Sequence, residues 1–192
     1  MIFNSLIIMI SIIVSGLILV VPDWRLRMLF LAVIQLIGFI LILQIWPIAL
    51  ASVKLISGWM GVALMSATMA SSSSEGRKDI QISAKVFKIM LAAFSWVVIA
   101  ASIDNLNAWL PISYTNLFVG LIFFFCGIFY ISLVLEIHEI AVGLLIFLAG
   151  FDIIYSSLEG SALVTGIYAL IVILISLISS YLQGGFSLGG SD

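Results

Sequence analysis

Lys54, Asp152, Gln35 and the group Glu136, His138 and Glu139 are the residues whose types and positions can do chemistry in this chain. Lys54 and Asp152 each lie inside a run otherwise apolar enough to span a bilayer. A charge at the centre of a lipid-embedded helix costs about 2.5–3.5 kcal/mol on insertion scales, so such residues face a protein interior or water and mark function by default. Opposite in sign, the two can form an ion pair or share a hydrated pocket in a proton or ion pathway. The structural alternative has Lys54 snorkelling to the interface, with Asp152 protonated or paired with Tyr155. Gln35, near the middle of the second apolar run, is either helix glue worth about 0.6–2 kcal/mol or a link in a hydrated polar chain. Glu136 and Glu139 are three residues apart and would share a face of a helix that begins that early. A carboxylate beside His138 favours the charged imidazole, which suits proton uptake. One histidine and two acids are a weak metal signature, and acids at an exposed helix N-terminus are also favoured by the helix dipole.

The elements that must carry these residues are membrane helices. Hydrophobic residues make up 64% of the 192 and charged residues 8%, with a mean hydropathy of +1.38. A soluble domain has nowhere to bury so much apolar surface. About twenty apolar residues are needed per span, which predicts an all-α, polytopic integral membrane protein of about seven helices, over residues 2–21, 27–45, 47–69, 86–103, 114–134, 139–157 and 161–182. Pro22-Asp23-Trp24 closes the first span and Trp46-Pro47 separates the second from the third, because proline disfavours a helical residue before it. Ser71 to Lys85 is the one clearly hydrophilic loop, and Asp104-Asn105-Leu106-Asn107 with Trp109-Leu110-Pro111 reads as a solvated turn. Leu158-Glu159-Gly160 is a tight final turn, with Glu159 solvated. Residues 1–183 read as one transmembrane domain and 184–192 as a flexible glycine- and serine-rich tail. The first run has no basic segment before it, which favours a retained helix over a cleaved signal peptide.

With seven spans, Arg25, Arg27, Arg77, Lys78, Lys85 and Lys88 all fall on or beside one side of the membrane. The opposite loops carry no lysine or arginine, and the remaining basic residue is Lys54. The positive-inside rule then places the basic loops and the C-terminus in the cytoplasm and the N-terminus outside. On this map Lys54 lies about 10 Å and Asp152 about 8 Å from the outer ends of their spans, so the two meet if the third and sixth helices touch. Small residues mark close helix approach: Ser57, Gly58, Gly61 and Ser66 on the third span, and Ser161, Ala162, Thr165, Gly166 and Ala169 on the seventh. Phe123-Phe124-Phe125 can face lipid or another subunit. No inverted repeat is evident, which lowers the case for a self-contained transporter.

Composition also excludes functions. Cys126 stands alone in an apolar run, which leaves no disulfide scaffold or cysteine metal site and makes it a small buried hydrophobe. One histidine cannot supply bis-histidine haem ligation, and there is no nucleophile elbow, zinc helix or phosphate-binding glycine loop. Intrinsic catalysis, a cofactor and a nucleic-acid partner are not expected; the formal net charge is −2.

The stretches WRLRMLFLAVIQL (24–36), ASVKLISGWMGVALM (51–65) and IAVGLLIFLAGFDIIY (140–155) resemble the E component of hydrogenase-4 and formate hydrogenlyase-type complexes. The last helices of that seven-helix family are similar to the K subunit of respiratory complex I and the C subunit of multisubunit Na+/H+ antiporters. The resemblance implies a polar axis that couples redox energy to ion pumping, with Gln35, Lys54 and Asp152 in its positions. Asp152 stands where the family carries glutamate, and His138 where it carries a basic residue near the start of the sixth helix. The expected function is therefore a non-catalytic membrane subunit of a complex I-like, hydrogenase-like or antiporter-like assembly, with other membrane subunits as partners and a prokaryotic plasma membrane as its place. The alternatives are a structural assembly subunit, whose buried charges fix helix register, and a stand-alone transporter of a small solute or ion.

Overall fold

Seven apolar runs become seven helices in the computed structural model, which describes residues 2–72 and 82–188. Arg77, Lys78, most of the hydrophilic 71–85 loop and residues 189–192 of the expected tail lie outside the described residues. The helices are α1 (Ile2–Val20), α2 (Trp24–Leu43), α3 (Ile48–Ser72), α4 (Ile82–Trp109), α5 (Tyr114–Ser132), α6 (Ile137–Leu158) and α7 (Ala162–Leu188). All of them are long and apolar enough to cross a membrane. Only helices and closed barrels satisfy every backbone group without water, and this chain takes the first solution.

Local chemistry fixes several boundaries. Asp23 caps α2 by accepting from the Arg25 backbone N–H at 3.0 Å, so the helix starts at Trp24 rather than at the expected residue 27. Ser113 caps α5 in the same way, accepting from Asn116. The expected turn at Asp104-Asn105-Leu106-Asn107 is instead helical: α4 runs on to Trp109, and these residues are exposed. Leaving lipid gives a helix no reason to stop. The first effective stop is Pro111, which disfavours helix at Leu110. At the other end of the chain, α7 continues to Leu188, through Gly184-Gly185, where a flexible tail was expected from residue 184. Two glycines cost about 1 kcal/mol each, and the turn that leads into them is held to α3 by Ser180 and Gln183, which meet Thr68 and Met69.

Two groups of helices share a wall. α2 packs on α3 and α6, and α7 packs on α3 and α6, closing a ring of four. Across the α2–α6 wall, α5 lies along α6, α1 contacts α2 and α5, and α4 packs on α1 and α5. Paired contacts set the directions. Arg27 meets Glu139 and Trp46 meets Ser156, so α2 and α6 run parallel. Lys54 lies by Tyr168 and Thr68 by Ser180, so α3 and α7 also run parallel to each other. Lys54 opposite Asp152 makes α3 antiparallel to α6. The core between the two groups is Leu31, Ile34, Val142, Leu145 and Ile146, all fully buried. Phe123, one of three phenylalanines read as facing outward, is also fully buried and belongs to this core.

The tightest crossing is α5 on α6. A Cβ at Gly150 would overlap the backbone nitrogen of Phe124 and come within 2.6 Å of the Gly120 carbonyl oxygen, while one at Gly127 would overlap the backbone of Phe147. Small residues are what allow backbones in lipid to approach so closely. Gly166, expected to mark such an approach on α7, faces open space. Gly150→Ala should therefore lower stability by about 1–3 kcal/mol through overpacking against backbone. Gly166→Ala should instead leave stability unchanged or raise it by up to about 1 kcal/mol through helix propensity. Thermal unfolding of the two variants in the same detergent separates them, and equal midpoints would refute the crossing.

Candidate functional site

Each helix of the four-helix ring contributes a polar side chain to its centre: Gln35 from α2, Lys54 from α3, Asp152 and Ser156 from α6, and Tyr168 from α7. Asp152 and Ser156 are one helical turn apart and so share a face. The Lys54 ammonium donates to Asp152 Oδ1 at 2.5 Å and to Ser156 Oγ at 2.6 Å. The Ser156 hydroxyl in turn donates to Asp152 Oδ1 at 3.3 Å. The remaining side of the ammonium faces aromatic rings, with Trp46 at 4.5 Å and Tyr168 at 5.5 Å from their centroids. Such contacts stabilise a cation most where water is excluded. Lys54 and Asp152 are 3% and 4% exposed, so Lys54 does not snorkel and the two charges answer each other. Tyr155, the alternative partner considered for Asp152, donates to Glu159 at 3.0 Å instead.

Gln35 sits beside this pair. Its Oε1 accepts from the Tyr168 hydroxyl at 3.4 Å. Gly58, one turn after Lys54 on α3, makes room for it, since a Cβ there would lie 2.8 Å from the amide carbon and oxygen. The Gln35 Nε2 donor has no hydrogen-bond partner among the described residues. Gln35 lines a cavity of about 10 Å³ together with Lys54, Asp152 and Tyr168. That volume is at the lower limit for one water, and the polar groups on its walls are the partners a water needs.

A second ion pair lies at the opposite end of the α2–α6 wall. Arg27, read from sequence as a basic residue of a loop edge, is 7% exposed and pairs with Glu139. Its guanidinium also donates to the carbonyls of Pro22 at 3.1 Å and Val21 at 3.4 Å, which binds the α1–α2 turn to the start of α6. Tyr130 of α5 is a further neighbour, and Lys88 of α4 lies within electrostatic reach of both Arg27 and Glu139. His138 Nε2 is 3.4 Å from Glu136 and 4.0 Å from Glu139, so the three residues expected to cluster do so, with Glu136 as the N-cap of α6. Their ligating atoms all fall within 4.8 Å of one another. The positive end of α6 and the Arg27 guanidinium both oppose a metal cation there. The same positive charges also disfavour adding a proton to the carboxylates, whereas moving a proton among the carboxylates and the imidazole leaves the net charge unchanged.

The expected residues thus form two clusters rather than one chain. Gln35, Lys54 and Asp152 meet, whereas Glu136, His138 and Glu139 meet Arg27 at the other end of α6. About 20 Å of helix separates Glu139 from Asp152, and the fully buried Leu31, Ile34, Val142, Leu145 and Ile146 line that interval. Sequence reasoning missed Trp46, Ser156, Tyr168 and the burial of Arg27. A signal existed for two of them. Ser156 follows Asp152 by one turn, and Arg27 continues the buried α2 stripe of Leu31, Gln35, Gly38 and Ile42 at helical spacing.

Breaking a buried pair by removing one partner costs about 3–5 kcal/mol, while replacing both by apolar residues is often neutral. Lys54→Met and Asp152→Leu should each destabilise the protein on that scale, and the double variant should be more stable than either single one. Denaturation of all four proteins in one detergent gives the coupling energy; additive losses would show that the pair is not coupled.

No protein-family model, curated protein or solved structure matches this chain.

Proposed function

We propose that this chain is a non-catalytic membrane subunit of a complex I-like, hydrogenase-like or antiporter-like assembly and that it passes protons through the Lys54–Asp152 pair. The observation that carries the proposal is the buried 2.5 Å contact between Nζ and Oδ1. A proton moving from Nζ to Oδ1 converts ammonium and carboxylate into amine and carboxylic acid, and the reverse step restores them. Desolvation penalises the ionic form by several kcal/mol per charge, which brings the neutral form within reach of it. Gln35 and the one-water cavity beside the pair supply a next carrier for the proton. The cluster of Glu136, His138, Glu139 and Arg27 is the proposed point of proton uptake on the basic side, which the positive-inside rule makes cytoplasmic. Membership of a larger assembly rests on the resemblance at residues 24–36, 51–65 and 140–155, and partner subunits then cover part of the apolar surface that the chain exposes.

Lys54→Arg distinguishes proton transfer from a purely structural pair. An arginine keeps the charge and the salt bridge but does not release a proton. In membranes containing the whole assembly, Lys54→Arg and Asp152→Asn should cut proton translocation by about a hundredfold or more. The assembly should still form in Lys54→Arg. Translocation at the parent rate in an intact Lys54→Arg assembly would overturn the proposal. Loss of assembly in Asp152→Asn together with an active Lys54→Arg assembly would instead assign the pair to helix register.

A further inference from the structure

The Lys54–Asp152 pair lies about 9 Å below the ends of α3 and α6, a depth from which a lysine can reach the interface with its four-carbon stem. It is kept from doing so by a residue outside the ring helices. Trp46 belongs to the short turn between α2 and α3, yet it is 6% exposed, because its indole lies inward between that turn and the α6–α7 turn. The reason is local. Its backbone N–H donates to the Ile42 carbonyl at 2.8 Å, continuing the α2 pattern for one more residue before Pro47 ends it. The indole Nε1 donates to the Ser156 carbonyl oxygen at 2.9 Å. That carbonyl is in the last turn of α6, where helix geometry supplies no partner. The ring edge lies against Gly160, 3.6 Å from where a Cβ would stand, and the ring face lies over Lys54 Nζ. One side chain therefore joins the two turns, satisfies a free carbonyl and covers the ammonium.

We infer that Trp46 is the positioning residue of the pair and its seal against water on the face that carries the α2–α3 and α6–α7 turns. The inference rests on the proton-transfer reading for its purpose, but the seal is a separate physical property. With the indole in place, the pair is closed toward that face. The fully buried layer of Leu31, Ile34, Val142, Leu145 and Ile146 closes it toward Arg27 and Glu139. A proton leaving Asp152 toward the turn face then requires the indole to move off Lys54 and release Ser156 O.

A thiol reports on the seal directly. In a Cys126→Ala background, Ser156→Cys places a thiol beside the Lys54 ammonium, where thiolate is favoured and reactive once water and reagent arrive. A charged, membrane-impermeant thiol reagent is added to either side of oriented vesicles holding the full chain, and the total thiol is counted after denaturation. With Trp46 present, labelling should be slow from both sides. Trp46→Ala should raise the rate about tenfold or more from the turn face only, and Trp46→Phe, which keeps the ring but loses the N–H, should restore most of the protection. Fast labelling with Trp46 intact, no acceleration in Trp46→Ala, or equal acceleration from both sides would each overturn the seal. Where Trp46→Ala does not accumulate in membranes, Trp46→Leu decides by the same criteria. Labelling does not depend on proton movement. If the seal holds and Lys54→Arg translocates normally, the proton-transfer proposal falls and the seal stands.

Discussion

A lysine ammonium and an aspartate carboxylate, each placed inside an apolar helix, must find each other or something equivalent, and the four-helix ring is arranged around that need. The pair alone would not be enough. An ammonium has three donors, and Asp152 and Ser156 take two of them, leaving a face that Trp46 and Tyr168 cover. Ser156 bonds both partners and thereby fixes where the carboxylate oxygen stands. These residues come from α3, α6, α7 and the α2–α3 turn, so forming the pair also sets the register of α3 against α6 and of α7 against both. The costs of burying charge and of ordering helices are met by the same contacts.

Glycines make the ring close enough for this chemistry. Gly58 lets Gln35 lie against α3, and Gly61 brings α3 onto Val172 and Ser176 of α7. On the other side of the shared wall, the glycines of α5 and α6 bring two backbones into direct contact, which holds α6 firmly against α5. Both ion-paired acids, the partly buried Glu139 and the buried Asp152, belong to α6. A helix clamped along its whole length is suited to carrying two charge sites at a constant separation, while α3 and α7, held chiefly by each other, are freer to shift relative to it. Under the proton-transfer proposal, movement in the ring falls more naturally on α3 and α7 than on α6.

What the sequence made legible follows from how local each signal is. Seven spans can be counted because length and apolarity are properties of single segments. Lys54 and Asp152 stand out because a charge in lipid is expensive wherever it occurs. Arg27 was read as a loop-edge residue because one more turn of α2, set by the Asp23 cap, decides whether it is outside or buried. Trp46 was read as punctuation before Pro47. Its real role depends on Ser156, more than a hundred residues away, and on a carbonyl freed by the end of α6. Tyr168 had the same difficulty: no local pattern tells a tyrosine facing lipid from one facing a distant glutamine. The end of α4 was misplaced for a different reason. Polar residues were taken to end the helix, when they mark only where it leaves the lipid.

The separation of the two charge clusters limits how they can communicate. Along α6 the acids are about 20 Å apart. At an effective dielectric of about 20, one unit charge acts on another at that distance with about 0.8 kcal/mol. Each acid is also paired with a cation a few ångströms away, so the field of either cluster at the other is that of a dipole and smaller still. Protonating Glu139 therefore changes the balance at Lys54 and Asp152 very little through space. The layer of Leu31, Ile34, Val142, Leu145 and Ile146 is fully buried and carries no polar side chain, so among the described residues no hydrogen-bonded route passes through it between the clusters. Coupling between them, if the chain moves protons, has to be mechanical. The side chains of that layer must part to admit water, and the element that parts them must pack on α2 or α6 without being locked to α6. Within the ring, α3 packs on α2 and α7 packs on α6, and α3 carries Lys54 itself.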